Sequence, residues 1–528
     1  MRLIVAAILF ASAAPALAAP PPNAIIDEGL NRSQVMQTAQ YLSDVIGPRI
    51  TNSPGMRAAE AWTMAKFREW GLQNVHREGF QFGRGWSVES VSVRMLTPRA
   101  IQLHAQPIAW TPSTGGALTA EVIVAPIKRE RDFDQWRGKL NGKIVLVSLP
   151  TDGSEPSRAP FQRLTGEDIG RADAYPLPDW RPERGLTFTK GLLLRAKLDA
   201  FLKSEGAVAM VRQSYRDGGL VHGEGYQFET GAALPGIELA AEDYRRIARL
   251  AKLGPVKMEI DSRTRFHDDD PKAYNIIAEI PGSDPKAGFV MAGGHLDSWA
   301  AGDGAADDGA GVFSVMEAAR ILAKSGVKSK RTIRFALWAG EEQGLMGSTA
   351  YIESHIAKRP APLQGAGLAE YYNDWDRRFP VIKLAEYDQL AVYFNIDNGS
   401  GKLRGIYAEG NLAAVPLLRE MIGPFGSMGV TQVVTGKTGG TDHENMAGLG
   451  LPAFQFLQDP LDYMSRVHHS NVDTYDHLTA DDLRQASTVL ASLLLDAANR
   501  DKPLPRAVLP TGPSARDPFA YKDPDDVD

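Results

Sequence analysis

The sequence predicts an α/β protein: a mixed sheet flanked by helices, with a smaller α+β unit inserted into it. Three observations carry that expectation. From Ala273 onward the chain repeats strand, loop and helix, and its strands are near-continuous apolar runs, the pattern of strands covered on both faces. Between Gly116 and Asp261 shorter β runs alternate with two helices, a texture of its own. The 528 residues also exceed the size at which one hydrophobic core stops growing, so two domains are expected.

Taken in order, the chain opens with "MRLIVAAILFASAAPALAA": one charge at Arg2, an apolar run from Leu3 to Ala11, and small residues at Ala16 and Ala18. This reads as an export signal over residues 1–18, too short to span a membrane, and places the protein in a periplasm or outside the cell. No later window is apolar enough for stable membrane insertion. Residues 27–115 read as the first part of the main domain. In "QVMQTAQYLSDVIGPR", Val35, Ala39, Leu42 and Ile46 recur at helical spacing up to Gly47-Pro48, a second helix ends at Gly71, and alternation through "WSVESVSVRMLT" reads as strands. Residues 116–261 form the insert, with strands "AEVIVAP", "GKIVLVSLP", "GAVAMVRQS" and "VKMEIDS", helices "LLLRAKLDAFLKSEG" and "AEDYRRIARLAKLG", and a long proline-rich loop or flap before them. Residues 262–500 return to the main domain with "AYNIIAEIPG", "GFVMAGG", "RTIRFALWAG", "LAVYFNIDN" and "PAFQFLQ". The helix that starts near Gly309 carries Val312, Val315, Met316, Ala319, Leu322 and Ala323 on one stripe. Residues 501–528 read as an extended tail.

Composition narrows the chemistry. A net charge of -6 with no long basic run excludes a nucleic-acid footprint. There is no cysteine, so there are no disulfides or thiolates, and any metal must be held by His, Asp and Glu.

Those residues collect at strand ends, where open α/β sheets place their ligands. His295 and Asp297 follow "GFVMAGG", Glu341 and Glu342 follow "RTIRFALWAG", Asp397 follows "LAVYFNI", Asp307 precedes the helix near Gly309, and His469 lies beyond "PAFQFLQ". Carboxylates crowded together repel unless a cation sits among them. Two divalent ions sharing one bridging carboxylate would each receive three of five protein ligands. Taken singly the features are bland. Asp307-Asp308 is a helix N-cap pattern, Glu341-Glu342 suits a helix N-terminus, His104, His222 and His355 read as structural, and "HDDDPK" at 267–272 reads as a hydrated linker.

The ordered set "DVIGPRITNSPG", "HLDS", "GAADDGAG", "ALWAGEEQGLMGS", "NIDNGSG", "GTDHENMAGLGLPAF" and "HHSNVDT" resembles the M28 metallopeptidases, and within them the carboxypeptidase Q branch. The insert resembles a protease-associated (PA) domain. The resemblance implies a zinc-exopeptidase fold of the phosphorylase/hydrolase-like type. It makes His295 and Asp397 ligands of one Zn²⁺, Glu342 and His469 ligands of a second, Asp307 the bridge and Glu341 the general base. It further implies that Asp297 hydrogen-bonds the His295 imidazole and fixes its tautomer. His468 stands where relatives carry an oxyanion-binding tyrosine and is the candidate donor. Asp442 and His443 either line the substrate pocket or form a buried hydrogen-bonded pair. Co²⁺ or Mn²⁺ would also suit these ligands.

The function implied is an exported exopeptidase acting on dipeptides or short peptides, with its direction open. An aminopeptidase needs an acid for the substrate ammonium, and a carboxypeptidase needs a cation for the carboxylate. A non-peptide amidase or cyclising acyltransferase on the same fold is a second reading. A binding protein that has lost its metal is a third, disfavoured because every ligand is present. The insert is expected to cover the cleft or to support a homodimer.

Overall fold

A computed structural model describes residues 21–153, 159–174, 184–361, 367 and 375–512. The segment read as an export signal lies outside them, as does the tail from 513 on. No helix among the described residues is long and apolar enough to cross a membrane.

The main domain is built on an eight-stranded mixed sheet. In spatial order its strands are Gln73–Gln81, Lys272–Ile280, Thr332–Trp338, Phe289–His295, Leu390–Asn395, Ala453–Gln458, Leu403–Tyr407 and Gln432–Val434. The apolar runs read from the sequence supply its centre, where Thr332–Trp338, Phe289–His295, Leu390–Asn395 and Ala453–Gln458 run parallel. Phe289–His295, Leu390–Asn395 and Ala453–Gln458 are buried along their whole length, as strands with helices on both faces must be. Gln73–Gln81, Leu403–Tyr407 and Gln432–Val434 carry less apolar sequence and lie towards the sheet's two edges.

Helix Gly309–Lys324 packs on one face beside helix Ala480–Asn499. The apolar stripe read from the sequence is only part of its buried surface, since residues 309–322 are all buried. Its polar side is covered by the N-terminal helices, where Arg320 donates to Glu317 Oε2 at 2.8 Å and pairs with Glu28, and the Ser33 hydroxyl donates to Glu317 Oε1 at 2.8 Å. The helix starts close to the sheet. A Cβ on Gly311 would sit 2.3 Å from the Ile396 carbonyl oxygen and 2.4 Å from Asp308 Oδ1.

A second eight-stranded sheet runs Ile101–Leu103, Gly85–Thr97, Lys257–His267, Leu118–Val124, Lys143–Leu146, Ala209–Gln213, Gly236–Leu239 and Ala105–Pro107. It has its own core, with Val93, Met95, Ile144, Val211, Ile237, Tyr244 and Met258 buried. This corrects the expected boundaries of 116–261. Gly85–Thr97 pairs antiparallel with Lys257–His267 along nearly its whole length, so the strands at 85–107 belong to the insert, which leaves the main sheet after Gln81 and returns at Lys272. Within the flap, helix Gly166–Ala172 is capped by the Thr165 hydroxyl, and Gln162 exchanges backbone hydrogen bonds of 2.8 and 2.9 Å with Leu461. The start of the tail is packed too, with Leu504 buried and its N–H donating to the Ala391 carbonyl at 3.2 Å.

Gly311→Ala is expected to lower stability by about 1–3 kcal/mol through overpacking of the helix start against the sheet. Chemical denaturation checks this, and an unchanged midpoint would contradict the close approach.

Candidate metal centre

Three parallel strands finish at one edge of the sheet because their register is shared, with His295 opposite Trp338. His295 is the last residue of its strand. Beyond Trp338 the chain turns at Gly340, in the left-handed region at φ 71°, a conformation glycine adopts without strain, and presents Glu341 and Glu342. Asp397 lies two residues past Asn395. Asp307, joined to Asp308 by a cis peptide bond, precedes the buried helix. His469, itself left-handed at φ 60°, follows the short helix Tyr463–Val467.

Asp307 stands at the middle. Its Oδ1 lies 3.5 Å from His295 Nε2 and its Oδ2 lies 3.4 Å from His469 Nε2. His295 Nε2 also faces Asp397 Oδ2 at 3.7 Å and Glu341 Oε2 at 3.8 Å, while His469 Nε2 is 3.0 Å from Glu342 Oε2. Two clusters that share Asp307 result.

Burial dominates the electrostatics. It pushes Glu342 up to about 7 despite the neighbouring His469, and raises Glu341 well above the usual carboxylate range despite His295. Burial opposes a charge on His295, yet Glu341, Asp307 and Asp397 outweigh it and lift the imidazole well above its ordinary range. Asp307 would also be raised by burial, but the surrounding imidazoles hold it low. Asp307 Oδ2 and Glu342 Oε1 are buried without a hydrogen-bond partner, and His295, Asp307 and Glu342 can offer ligand atoms within 4.8 Å of one another. Unpartnered buried carboxylate oxygens beside imidazole nitrogens fit a divalent cation, which would take the place of the imidazole protons.

The expected role of Asp297 needs correction. The His295 Nδ1 hydrogen bond, 2.9 Å long, goes to the Asp297 backbone carbonyl, and the carboxylate is 3.8 Å away. A backbone carbonyl fixes the same tautomer. The Asp297 carboxylate instead accepts from Thr51 Oγ1 at 3.0 Å and from the backbone N–H groups of Glu341 and Glu342 at 3.3 and 3.4 Å. It thereby ties the strand end bearing His295 to the turn bearing the paired glutamates.

Several supporting residues escape a sequence reading. Asp473, pushed up to about 8 by burial, accepts from the N–H groups of Ala306 and Asp307 at 2.7 and 3.1 Å. Asp308, and not Asp307, is the helix cap, accepting from Gly311 N at 3.0 Å and from His295 N at 3.2 Å. Arg49 is fully buried and donates to the carbonyls of Leu296, Asp303 and Gly304 at 2.7, 2.7 and 2.8 Å, fixing the loop between His295 and Asp307. The Tyr463 hydroxyl donates to Asp397 Oδ1 at 3.2 Å. Asp473 and Arg49 lie inside the motifs "HHSNVDT" and "DVIGPRITNSPG", the one sign of them in the sequence.

His468 stacks on His469 with ring centroids 3.7 Å apart and brings Nε2 to 4.0 Å from Asp307 Oδ2. Burial, reinforced by His469, lowers it to about 3, so it is a neutral imidazole. Asp442 and His443 do not form the expected pair with each other. His443 Nε2 is 3.2 Å from Glu409 Oε1. Asp442 is pushed up to about 7 by burial, and its charge acts on Glu341. A small pocket lies beside the cluster, lined by Trp299, Asp307, Glu342, His469 and Asp473 among others.

This fold and this cluster define a hydrolase of the metallopeptidase class. Residues 275–494 match peptidase family M28. It is 26% identical to carboxypeptidase Q of Mus musculus over 476 residues, 88% of this chain and 86% of that one. Among solved structures, the peptidase M28 precursor from Shewanella amazonensis SB2B superposes with a TM-score of 0.64 at 25% identity, covering 92% of this chain and 98% of that one. BSAP, a zinc aminopeptidase from Bacillus subtilis, shares the fold at a TM-score of 0.56 and 18% identity, over 88% of this chain and 95% of that one.

Protein stripped of divalent metal by a chelator is expected to lose stability as pH rises. The raised carboxyls of Glu342, Asp442 and Asp473 hold protons in the native state that unfolded carboxyls release near pH 4, so the native state binds more protons between about pH 4 and 8 and unfolding becomes easier across that window. Thermal unfolding should show a drop of a few degrees from pH 6 to pH 8, reversed at pH 8 by added zinc. A flat profile would contradict the crowding.

Proposed function

We propose that the protein is an exported exopeptidase with two zinc ions, cleaving dipeptides or short peptides. His295 and Asp397 would hold one ion, Glu342 and His469 the other, and Asp307 both. The observation that carries this reading is the placement of the two Asp307 oxygens, one facing His295 Nε2 at 3.5 Å and the other facing His469 Nε2 at 3.4 Å. A carboxylate so placed suits a bridge. The likeness to carboxypeptidase Q along most of the chain supports the choice of substrate. The Arg2–Ala18 segment supports export.

The chemistry that bound zinc supplies is polarisation of the scissile carbonyl and acidification of a water. The protein's own groups do the rest. Glu341, with Oε2 3.8 Å from His295 Nε2, takes the proton of the attacking water and returns it to the leaving amine. Burial raises its affinity for a proton, the direction a general base that must hold and return a proton requires. Asp297 fixes the Glu341 and Glu342 backbone so that adjacent carboxylates serve different tasks. His468, neutral and next to the cluster, donates from Nε2–H to the oxyanion of the tetrahedral intermediate. Trp299, which lines the pocket, would limit the room for longer peptides.

Elemental analysis of the purified mature protein should find about two zinc ions per chain, matching the shared-carboxylate ligand count. Unblocked dipeptides should be hydrolysed, and comparison with N-blocked and C-amidated forms should tell which terminus is read. Glu341→Gln is expected to lower kcat by roughly 10²–10⁴-fold with zinc content unchanged. Hydrolysis that persists in this variant would remove Glu341 from the mechanism, and a protein that neither binds zinc nor cleaves any dipeptide after zinc supplementation would end the proposal.

A further inference from the structure

One loop of the insert, residues 214–226, touches both stacked histidines, and it meets them with opposite chemistry. Glu224 Oε1 lies 2.8 Å from His469 Nδ1. Arg216 donates from one nitrogen to the His468 carbonyl at 3.0 Å and from the other to His468 Nδ1 at 3.5 Å. A carboxylate can only accept a hydrogen bond and a guanidinium can only donate one. Beside Glu224, His469 Nδ1 must therefore carry the proton, which leaves Nε2 as a bare lone pair facing Asp307 and Glu342. Beside Arg216, His468 Nδ1 must be the bare nitrogen, which puts the proton on Nε2.

The loop is held for this task. Val221 and Asn471 exchange two hydrogen bonds, Asn471 N to the Val221 carbonyl at 2.9 Å and Val221 N to Asn471 Oδ1 at 3.0 Å. Glu224 is steadied by the Tyr215 hydroxyl at 3.1 Å. Gly225 passes so near residue 109 that a Cβ there would sit 2.2 Å from the Ala109 carbonyl oxygen.

We infer that this loop of the insert sets opposite tautomers on two adjacent histidines, making His469 a metal ligand through Nε2 and His468 a hydrogen-bond donor through Nε2–H. Glu224 and Arg216 are thus positioning residues that act through the histidines. The inference rests on the two-zinc reading and goes beyond it by assigning the insert a part in building the site.

The test uses the full mature chain. With histidines ¹⁵N-labelled and zinc loaded, long-range ¹H–¹⁵N spectra should show His469 protonated at Nδ1 and His468 at Nε2, with His468→Asn providing the assignment. Glu224→Ala should weaken zinc binding, measured by competition with a chromophoric chelator, by roughly 10–100-fold. Glu224→Gln, whose amide oxygen still accepts, should lose less, and it serves if the alanine variant fails to fold. Arg216→Met should leave zinc affinity within about twofold while His468 becomes a mixture of tautomers. On a dipeptide the unsubstituted enzyme cleaves, Arg216→Met should lower kcat more than tenfold, a share of what loss of an oxyanion donor costs, with KM unchanged. The same tautomer on both histidines, or unaltered zinc affinity in Glu224→Ala, would overturn the inference while the metal centre stood. Absence of zinc binding in the unsubstituted chain would overturn both.

Discussion

Everything at this site is arranged around one carboxylate whose two oxygens must face two imidazoles at once. His295 and His469 lie far apart in sequence, and Asp307 sits between them with no slack for a shifted backbone. The surroundings supply that fixity. Asp473 holds the Asp307 N–H at 3.1 Å, Asp308 anchors the helix that follows, and Arg49 grips three carbonyls of the preceding loop. A buried guanidinium satisfied by carbonyls is a rigid fixture, because moving any one of them leaves a desolvated donor.

The glycine- and alanine-rich run from Gly293 to Gly311 takes its composition from the same demand. Cβ atoms on Gly294 and Gly311 would lie 2.6 and 2.4 Å from Asp308 carboxylate oxygens, and one on Gly302 would lie 2.6 Å from the Ser470 carbonyl oxygen. Small residues there admit the acid and the neighbouring loop. A stretch with little to offer a core is what allows strand, helix and His-bearing loop to converge.

Sequence made the centre of the fold legible where the physics is local. Strands with both faces covered announce themselves as unbroken apolar runs, and ligands at their carboxyl ends follow from parallel register. The limits of the insert were not legible, because Gly85–Thr97 alternates like any half-covered strand and its partner, Lys257–His267, lies about 170 residues on. The same holds for Glu224, separated by 245 residues from the histidine it meets. Asp297 shows a subtler limit: spacing places it beside His295, but whether carbonyl or carboxylate makes the bond depends on where Thr51 and the Glu341 turn pull the side chain. Asp442 and His443, adjacent in sequence, have different neighbours for a like reason.

The Val221–Asn471 pairing carries a consequence for how the chain diverges. Because the insert's loop is hydrogen-bonded to the loop that bears His468 and His469, the two lobes are not interchangeable parts. A substitution at Tyr215, Arg216 or Glu224 changes the environment of an imidazole on the other lobe, so variation in one loop is constrained by the residues of the other. The insert's loop and the histidine-bearing loop are therefore one structural unit.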